Sequence, residues 1–366
     1  MALDTSMLKE KFSKMLAPKQ QKQEKIRDVV SFDIGTNTIK IVEGRYSKGR
    51  LTVYRLMELS TPEGAIEDGK IVNDREVIET LKAFIKRNNI KIKDSVCTTN
   101  SSAIINRDLV IPVVEYDEME TVIRYEIEQF LPIKLEDYII QYVVLDKIAD
   151  AEGPKYKVNV VAYPIVIARS YFDLLTDIDL NPVVLDVNFN ALNKISAYSR
   201  LSGEGTVAFV DMGATSMNIT VFKNGKLDFN RIVKSGGESI DYALSTRLDM
   251  SIKSTESEKI EKGSLIRVSE EDVINSTIAD AVDDMLGELE RILQFYNNQV
   301  IGRSIEKIII YGGTSNIEGL PEYMERKLNI KTEKIASLPK VEFTSKRGSG
   351  DSLSRYINAL GAIIRL

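Results

Sequence analysis

The sequence contains no histidine and a single cysteine, Cys97, among its 366 residues. The lack of histidine excludes Ser-His-Asp and Cys-His catalysis, histidine general bases and histidine metal ligands. A lone cysteine excludes a disulfide within this chain and a cysteine zinc site. Any chemistry must therefore come from carboxylates, hydroxyls, backbone amides, lysine, arginine and a hard cation such as Mg²⁺. Nucleotide binding and phosphoryl transfer fit this inventory, because both depend on positioning and electrostatics.

Long apolar runs and a strong net charge are also missing. No apolar run approaches the roughly 20 residues that a membrane-spanning helix needs. The first residues lack the apolar region and cleavage site of a signal peptide, so none is expected. The formal net charge of −5 gives no reason to expect nucleic-acid binding. With 43% hydrophobic and 28% charged residues, the composition is typical of a globular protein of two or three domains.

One motif occurs twice, far apart in the chain. Residues 29–38 (VVSFDIGTNT) and 206–216 (TVAFVDMGATS) each show a short apolar strand, an Asp-x-Gly turn with threonines beside it, and the start of another strand. Glycine at the bend lets the backbone approach a phosphate closely. Asp33 and Asp211 can each face a hydrated Mg²⁺ that bridges phosphates. The pair therefore predicts two related domains that close on one phosphate chain.

The pattern after each hairpin repeats as well, since a three-strand meander and then a helix follow both. Residues 106–183 interrupt this repeat and predict a small α+β insertion. We predict helices at 73–88, 117–130, 170–178, 190–198, 239–248 and 320–328, mostly helix over 250–302, and a terminal helix at 353–365. We predict further strands at 103–113, 138–145, 158–168, 182–186 and 306–311.

Six segments have the chemistry and the order of a single nucleotide site. The two hairpins would clamp the phosphates, a Gly-Gly-Thr turn after a strand would approach the sugar or base, and a Gly-Gly pair opens a helix whose N-terminus can face an anion. Small residues at 190–192 and 359–361 suit a close helix crossing between the two halves. The predicted nucleotide-binding residues are Asp33, Gly35, Thr36, Asn37, Thr38, Asn190, Asp211, Gly213, Ala214, Thr215, Gly236, Gly237, Gly312, Gly313, Thr314 and Gly361.

This set of segments resembles the actin/Hsp70/sugar-kinase superfamily. Within it, residues 124–133 (RYEIEQFLPI), 160–164 (VVAYP) and 185–192 (LDVNFNAL) resemble the PilM family of type IV pilus assembly proteins, the pilus relatives of FtsA. The resemblance covers roughly residues 28–366. It implies an α/β, actin-like (ribonuclease H-like) two-domain fold with duplicated mixed sheets and an FtsA-type 1C subdomain.

The resemblance also implies where the domains begin and end. A basic N-terminal extension covers 1–27, subdomain 1A covers 28–105 and 184–205, and subdomain 1C covers 106–183. Domain 2 covers 206–345 with a 2B insertion at about 241–303, and residues 346–366 form a helix that returns to 1A. In 2B the family pattern Ala-Glu-x-x-Lys is compared with 257–262 (SEKIEK), which assigns the nucleoside contacts to Glu258 and Lys262 although Glu261 stands where lysine is expected.

The function implied by the resemblance is an ATP-binding scaffold with Mg²⁺ held by Asp33 and Asp211 through water. Its partners would be the N-terminal peptide of a PilN-like inner-membrane protein, in a groove between 1A and 1C, and the pilus assembly ATPase, with no nucleic acid. It would be cytoplasmic, at the inner face of the cell membrane and associated with it through partners.

Several alternatives stay open at this point. No residue is evidently placed to orient an attacking water, so we predict no catalytic residue and no ATPase activity beyond a weak one. A phosphotransferase or phosphatase with Asp186 as its catalytic carboxylate, and an FtsA-like filament protein, are the other functions considered. Residues 1–27 carry seven basic and three acidic residues and an apolar helical stripe. They are either an N-terminal tail or a segment that binds a membrane or a partner.

Overall fold

The structure is a computed structural model that describes residues 27–115, 117–130, 134–150, 153–300, 302–344 and 353–365. Two large β-sheets and one smaller sheet organise this part of the chain, and helices pack between and around them. The basic helix predicted within residues 1–27 lies outside the described residues.

The first sheet is built around the first Asp hairpin. Its three antiparallel meander strands are extended on one side by two parallel strands, and a short parallel strand joins the other edge. In spatial order the strands are β10 (Asn181–Val187), β6 (Asp94–Thr99), β1 (Asp28–Ile34), β2 (Thr38–Ser47), β3 (Arg50–Ser60) and β16 (Val341–Phe343). A small hairpin of β4 (Ile66–Glu67) and β5 (Lys70–Ile71) follows the meander.

The second sheet repeats this plan around the second Asp hairpin. An antiparallel meander again lies beside two parallel strands. In spatial order the strands are β13 (Lys226–Val233), β12 (Met217–Lys223), β11 (Thr206–Met212), β14 (Lys307–Tyr311) and β15 (Lys331–Lys334). Because the order and direction of five strands agree, the two sheets have the duplicated topology that the repeated motif predicts.

Amphipathic stripes and polar caps define the helices. Val77 and Leu81 form the buried stripe of the first helix, and its N-cap Asn73 accepts a hydrogen bond from the backbone N–H of Glu76 at 3.3 Å. None of the described helices is long and apolar enough to cross a membrane. The helices are α1 (Asp74–Arg87), α2 (Met119–Phe130), α3 (Ile165–Asp177), α4 (Asn188–Ser199), α5 (Gly237–Leu248), α6 (Ile252–Lys262), α7 (Val273–Asn298), α8 (Leu320–Leu328) and α9 (Ile357–Ile363).

The predicted insertion contains a three-stranded antiparallel sheet. The strands β7 (Ile105–Pro112), β9 (Gly153–Pro164) and β8 (Tyr138–Asp150) lie in that spatial order, with β9 in the middle. Helix α2 covers one face of this sheet and buries Ile123 against Val158 and Val160 of β9. The insertion therefore has a small core of its own.

One strand prediction is wrong at its end. The predicted strand at 158–168 extends too far, because residues 165–168 form the first turn of α3. Pro164 closes β9 and occupies the N-cap position of the helix. Ile167, Tyr171 and Leu174 then fall on one buried helical stripe, whereas the short window over 158–168 also satisfies an alternating pattern.

Two helices connect the large sheets. Helices α4 and α9 share one hydrophobic cluster with residues of both sheets, including Val42 of the first and Phe209 of the second. The predicted terminal helix is divided, since residues 353–356 form a 3₁₀ turn and α9 begins at Ile357. The crossing of α4 and α9 is thus the place where the two halves of the molecule meet.

Candidate nucleotide site

The two Asp hairpins face each other across the cleft between the sheets. Each turn is closed by the same bond: Gly35 N–H donates to Thr38 O at 3.1 Å, and Gly213 N–H donates to Ser216 O at 3.0 Å. The hydroxyls of Thr36 and Thr215 are 3.3 Å apart. The structure therefore brings together two turns that are separated by 179 residues in the sequence.

The tips of both turns offer hydrogen-bond donors. Among the described residues, the backbone N–H groups of Thr36, Asn37, Ala214 and Thr215 donate to no protein acceptor. Successive free N–H groups in a turn form an anion-binding concavity. Four of the predicted residues can therefore donate to the oxygens of a ligand held between the turns.

Two carboxylates lie at the base of the cleft. Asp33 is 7% exposed, and burial raises its pKa, an effect that Lys40 and Asn358 oppose. Burial, and after it the nearby charge of Asp33, raises the pKa of Asp211 to about 6. The ionised forms of both carboxyls are therefore disfavoured, and additional positive charge beside them would stabilise those forms. A divalent cation between them would supply it, so the chemistry of this pair fits Mg²⁺.

Lys40 was missed by the sequence predictions. It lies directly opposite Asp33 in the β1–β2 register, and its Nζ is 3.4 Å from Thr38 O at the first turn. The sequence contained a signal for it, because in a β1–β2 hairpin with this turn Lys40 pairs with Asp33. Lys40 thus places a positive charge beside the first turn.

Asn358 is a second residue that the predictions missed. Its Nδ2 donates to Asp211 Oδ2 at 2.8 Å and to Asp33 Oδ2 at 3.5 Å. The sequence predicts a site residue on the same helix, Gly361, but not this one. An asparagine in an otherwise apolar segment was the available signal, but only the fold places it between the two aspartates.

The predicted glycines are required by close packing. A Cβ at Gly312, where φ is +92°, would lie 2.5 Å from Asp211 Oδ1. A Cβ at Gly237 would lie 2.4 Å from Thr314 Oγ1, and one at Gly236 would lie 2.4 Å from Ala214 O. A Cβ at Gly313 meets nothing within 4 Å. Three of these four glycines therefore hold the second hairpin tightly against its neighbours.

The N-terminus of α5 braces the second hairpin. Gly237 N–H donates to Gly213 O at 3.0 Å, and Glu238 N–H donates to Ala214 O at 2.8 Å. The Thr314 hydroxyl also donates to Gly213 O, at 2.9 Å. Because these N–H groups are already bonded, this helix end positions the turn more directly than it offers donors to an anion.

The contacts of α6 differ from the predicted ones. Lys262 pairs with Glu258 at 2.6 Å, and its side chain is 54% exposed. Lys259, only 12% exposed, lies 2.7 Å from Asp241 Oδ1 and donates to Gly237 O at 3.3 Å. Glu256 and Lys259 meet the Glu-x-x-Lys spacing, whereas Lys262 lies four positions after Glu258. Glu256 is close enough to raise the pKa of Glu238, after the larger effect of burial.

The remaining predicted residues tie α4 to the rest of the first half. Asn190 Nδ2 donates to Asp186 Oδ1 at 2.8 Å, and Lys194 Nζ lies 2.5 Å from Asp186 Oδ2. A Cβ at Gly361 would lie 2.0 Å from Ala191 O, so the backbones of α4 and α9 are in direct contact where the helices cross. Asp186 is buried and fully engaged, which is the setting of a structural carboxylate and not of a catalytic one.

A separate groove lies in the insertion, between β7 and α2. Its volume is about 490 Å³. The floor is apolar and includes Ile105, Leu109 and Ala162, and the rim carries Arg107 and Glu126. Strand β7 is an edge strand, so one row of its backbone groups is unpaired within the sheet.

The paired sheets, the two Asp turns and the helix crossing define the class as an actin-like fold, as predicted. Solved structures agree: EutJ from Carboxydothermus hydrogenoformans is 14% identical, with 98% of each chain covered and a TM-score of 0.55. MreB5 of Spiroplasma citri bound to ADP is 10% identical, with 92% of this chain and 94% of that chain covered and a TM-score of 0.51.

The family can be stated as well. The family model described as type IV pilus assembly protein PilM matches residues 31–363, so this chain belongs to that family, and the predicted resemblance is confirmed. A solved PilM-PilN type IV pilus biogenesis complex contains a chain 21% identical, with coverage of 92% of this chain and 96% of that chain and a TM-score of 0.76. Cell division protein FtsA of Bacillus subtilis is 22% identical over 340 residues, 80% of this chain and 74% of FtsA.

Proposed function

We propose that this protein is an ATP-binding scaffold of type IV pilus biogenesis, cytoplasmic and located at the inner face of the membrane through its partners. Bound Mg-ATP would favour one closed arrangement of its two halves, and the insertion would bind the N-terminal peptide of a PilN-like membrane protein. Through these contacts it would link that protein to the pilus assembly ATPase. The single observation that carries the nucleotide part is the pair of facing Asp turns, with Thr36 and Thr215 3.3 Å apart.

The residues of the cleft fit a nucleotide from phosphate to nucleoside. Asp33 and Asp211 would hold Mg²⁺ through water, and the free N–H groups of both turns and Lys40 would face the phosphates. On the nucleoside side lie the Gly312 turn, which leaves no room for a Cβ, and Lys259. The MreB5 structure bound to ADP, which shares the fold, supports nucleotide binding as such.

Contacts between the halves explain how a nucleotide could set closure. Lys234 of the second half lies 3.4 Å from Asp68 of the first, and Asn37 of the first half is close enough to Glu238 to oppose the rise in its pKa that burial causes. A ligand shifts such an arrangement only if it binds the closed form better than the open one. A nucleotide that contacts both turns at once meets this requirement, because opening would remove half of its contacts.

The groove between β7 and α2 is the proposed site of the partner peptide. An extended peptide could add to the free edge of β7 while its apolar side chains enter the floor formed by Ile105, Leu109 and Ala162. The groove begins at Ile105, beside the predicted boundary between 1A and 1C. The solved PilM-PilN complex, which joins a PilM chain to PilN, supports this choice of partner.

Calorimetry tests the nucleotide part. We expect Mg-ATP to bind the wild-type protein and to bind Asp33→Ala and Asp211→Ala at least about tenfold more weakly. Each variant removes one of the two carboxylates that would hold the hydrated Mg²⁺. Asp284→Ala, which removes an exposed carboxylate of α7, is the matched control and should bind normally. Unchanged binding in both cleft variants would refute the two-turn site.

A second titration separates the two proposed sites. A PilN-like N-terminal peptide should bind the wild-type protein and fail to bind Leu109→Arg, whose new side chain would fill the half-buried floor of the groove. The same variant should keep its Mg-ATP affinity. Loss of peptide binding in Asp211→Ala but not in Leu109→Arg would contradict the proposed peptide site.

A further inference from the structure

Asn358 is the only polar residue in a fully buried helix. Helix α9 has the sequence INALGAI, and its seven residues are all buried. Asn358 itself is 4% exposed. Burial of an amide is unfavourable unless its hydrogen bonds are satisfied. The helix thus carries one residue whose presence packing alone does not explain.

The amide is satisfied by groups from both halves of the molecule. Nδ2 donates to Asp211 Oδ2 at 2.8 Å and to Asp33 Oδ2 at 3.5 Å, and Oδ1 lies 3.5 Å from the Tyr311 hydroxyl, which donates to it. Asp211 and Tyr311 belong to the second sheet and Asp33 to the first. One planar amide therefore spans the interface at the base of the cleft.

Asn358 also lies at a junction along the chain. The 3₁₀ turn before α9 is bonded to the second half, where Gly312 N–H donates to Ser354 O at 3.0 Å. The body of α9 is bonded to the first half, where the Ser31 hydroxyl donates to Ala359 O at 2.7 Å. Asn358 lies between these two anchors, one to the second half and one to the first.

We propose that Asn358 is a positioning residue of the cleft: its amide holds Asp33 and Asp211 at the separation at which they can share one hydrated divalent cation, and it ties that separation to the angle between the two halves. This inference rests on the proposed nucleotide site. Two carboxylates facing each other repel in a medium of low dielectric constant. The two N–H bonds of one amide form a rigid fork that offsets this repulsion and fixes the geometry.

Calorimetry of ATP with Mg²⁺ and of ATP with EDTA tests this role. The variant Asn358→Leu keeps the branched shape of the side chain, with a somewhat larger volume, and removes both donors. We expect its affinity for Mg-ATP to fall about tenfold, the usual effect of losing hydrogen bonds to charged groups, while its affinity for ATP in EDTA changes less than about threefold. Asn297→Leu is the control and should change neither affinity. Asn297 is a half-buried residue of α7 whose side-chain oxygen accepts a hydrogen bond from Ile305 N–H at 3.2 Å.

A structural role alone would weaken both forms of ATP equally, and that result would overturn the inference. If Asn358→Leu does not fold, Tyr311→Phe serves instead, because it removes only the hydroxyl that supports the Asn358 amide. It should lower the affinity for Mg-ATP about two- to threefold and leave that for ATP in EDTA unchanged; equal changes would again overturn the inference. Absence of Mg-ATP binding by the wild-type protein would refute the proposed function itself, and the inference with it.

Discussion

The substitution Asp211→Asn should stabilise the protein in the absence of nucleotide. The carboxyl of Asp211 has a pKa raised from 3.8 to about 6, first by burial and then by Asp33. The folded protein therefore binds this proton more tightly than the unfolded chain does. A carboxyl with a raised pKa contributes stability at low pH that is lost as the pH rises through its folded value. At neutral pH the ionised form of Asp211 is thus a cost to the fold.

The size of the effect follows from the shift. A rise of roughly two units corresponds to about 3 kcal/mol, at 1.36 kcal/mol per unit. Between pH 4 and pH 7.5 we expect Asp211→Asn to gain up to about this amount of unfolding free energy relative to the wild-type protein. Most of the gain should accumulate between about pH 4 and pH 6, the interval between the unfolded and folded pKa values.

Urea denaturation in EDTA at several pH values measures this difference. Asp284→Asn, an exposed position on α7, is the control and should follow the wild-type protein at every pH. Mg-ATP should narrow the difference, because the wild-type protein binds the ligand more tightly and so gains more stability from it. A difference between Asp211→Asn and the wild-type protein that stays constant from pH 4 to pH 7.5 would refute the electrostatic reasoning.

Two further pairs of substitutions test the packing of the cleft. Gly312→Ala should lower the free energy of unfolding by roughly 2–4 kcal/mol, because Gly312 has a left-handed backbone conformation and the added methyl group would meet Asp211 and Met212. Gly313→Ala places its methyl group in open space and should be nearly neutral in thermal denaturation. Equal shifts for the two alanines would contradict the geometry. Lys259→Ala should cost about 3 kcal/mol or more by leaving Asp241 buried without its partner, and should also weaken ATP binding in calorimetry. Lys262→Ala, in an exposed pair, should cost less than about 1 kcal/mol, and a larger effect on ATP binding at Lys262 than at Lys259 would favour Lys262 as the nucleoside contact.

Local sequence predicted the elements that depend on neighbouring residues. The Asp-x-Gly turns, the two meanders and α8 at Leu320–Leu328 were predictable, because strand alternation, helical stripes and turn glycines act over a few positions. The error at residues 165–168 has the same origin. The short window 158–168 fits both the strand period and the helix period, and only the packing of Tyr171 and Leu174 on the first half selects the helix.

The side-chain contacts of α6 were not predictable from the sequence for a different reason. Residues 255–262 offer two Glu–Lys pairs, Glu256 with Lys259 at the family spacing and Glu258 with Lys262 one position longer, and charge alone does not choose between them. The fold chooses, because it buries Thr255 completely and with it turns Lys259 toward Asp241. The face of a helix that meets a neighbour is decided by that neighbour.

The sequence by itself determined that histidine chemistry is excluded and that an Asp-x-Gly motif occurs twice, and segments 124–133, 160–164 and 185–192 predicted the family that the family model confirms. These are properties of residue type and short spacing. Only the tertiary structure decided that the turns meet and that Asn358 lies between their aspartates. Contacts between residues more than a hundred positions apart depend on how sheets and helices pack, and no local pattern carries that information.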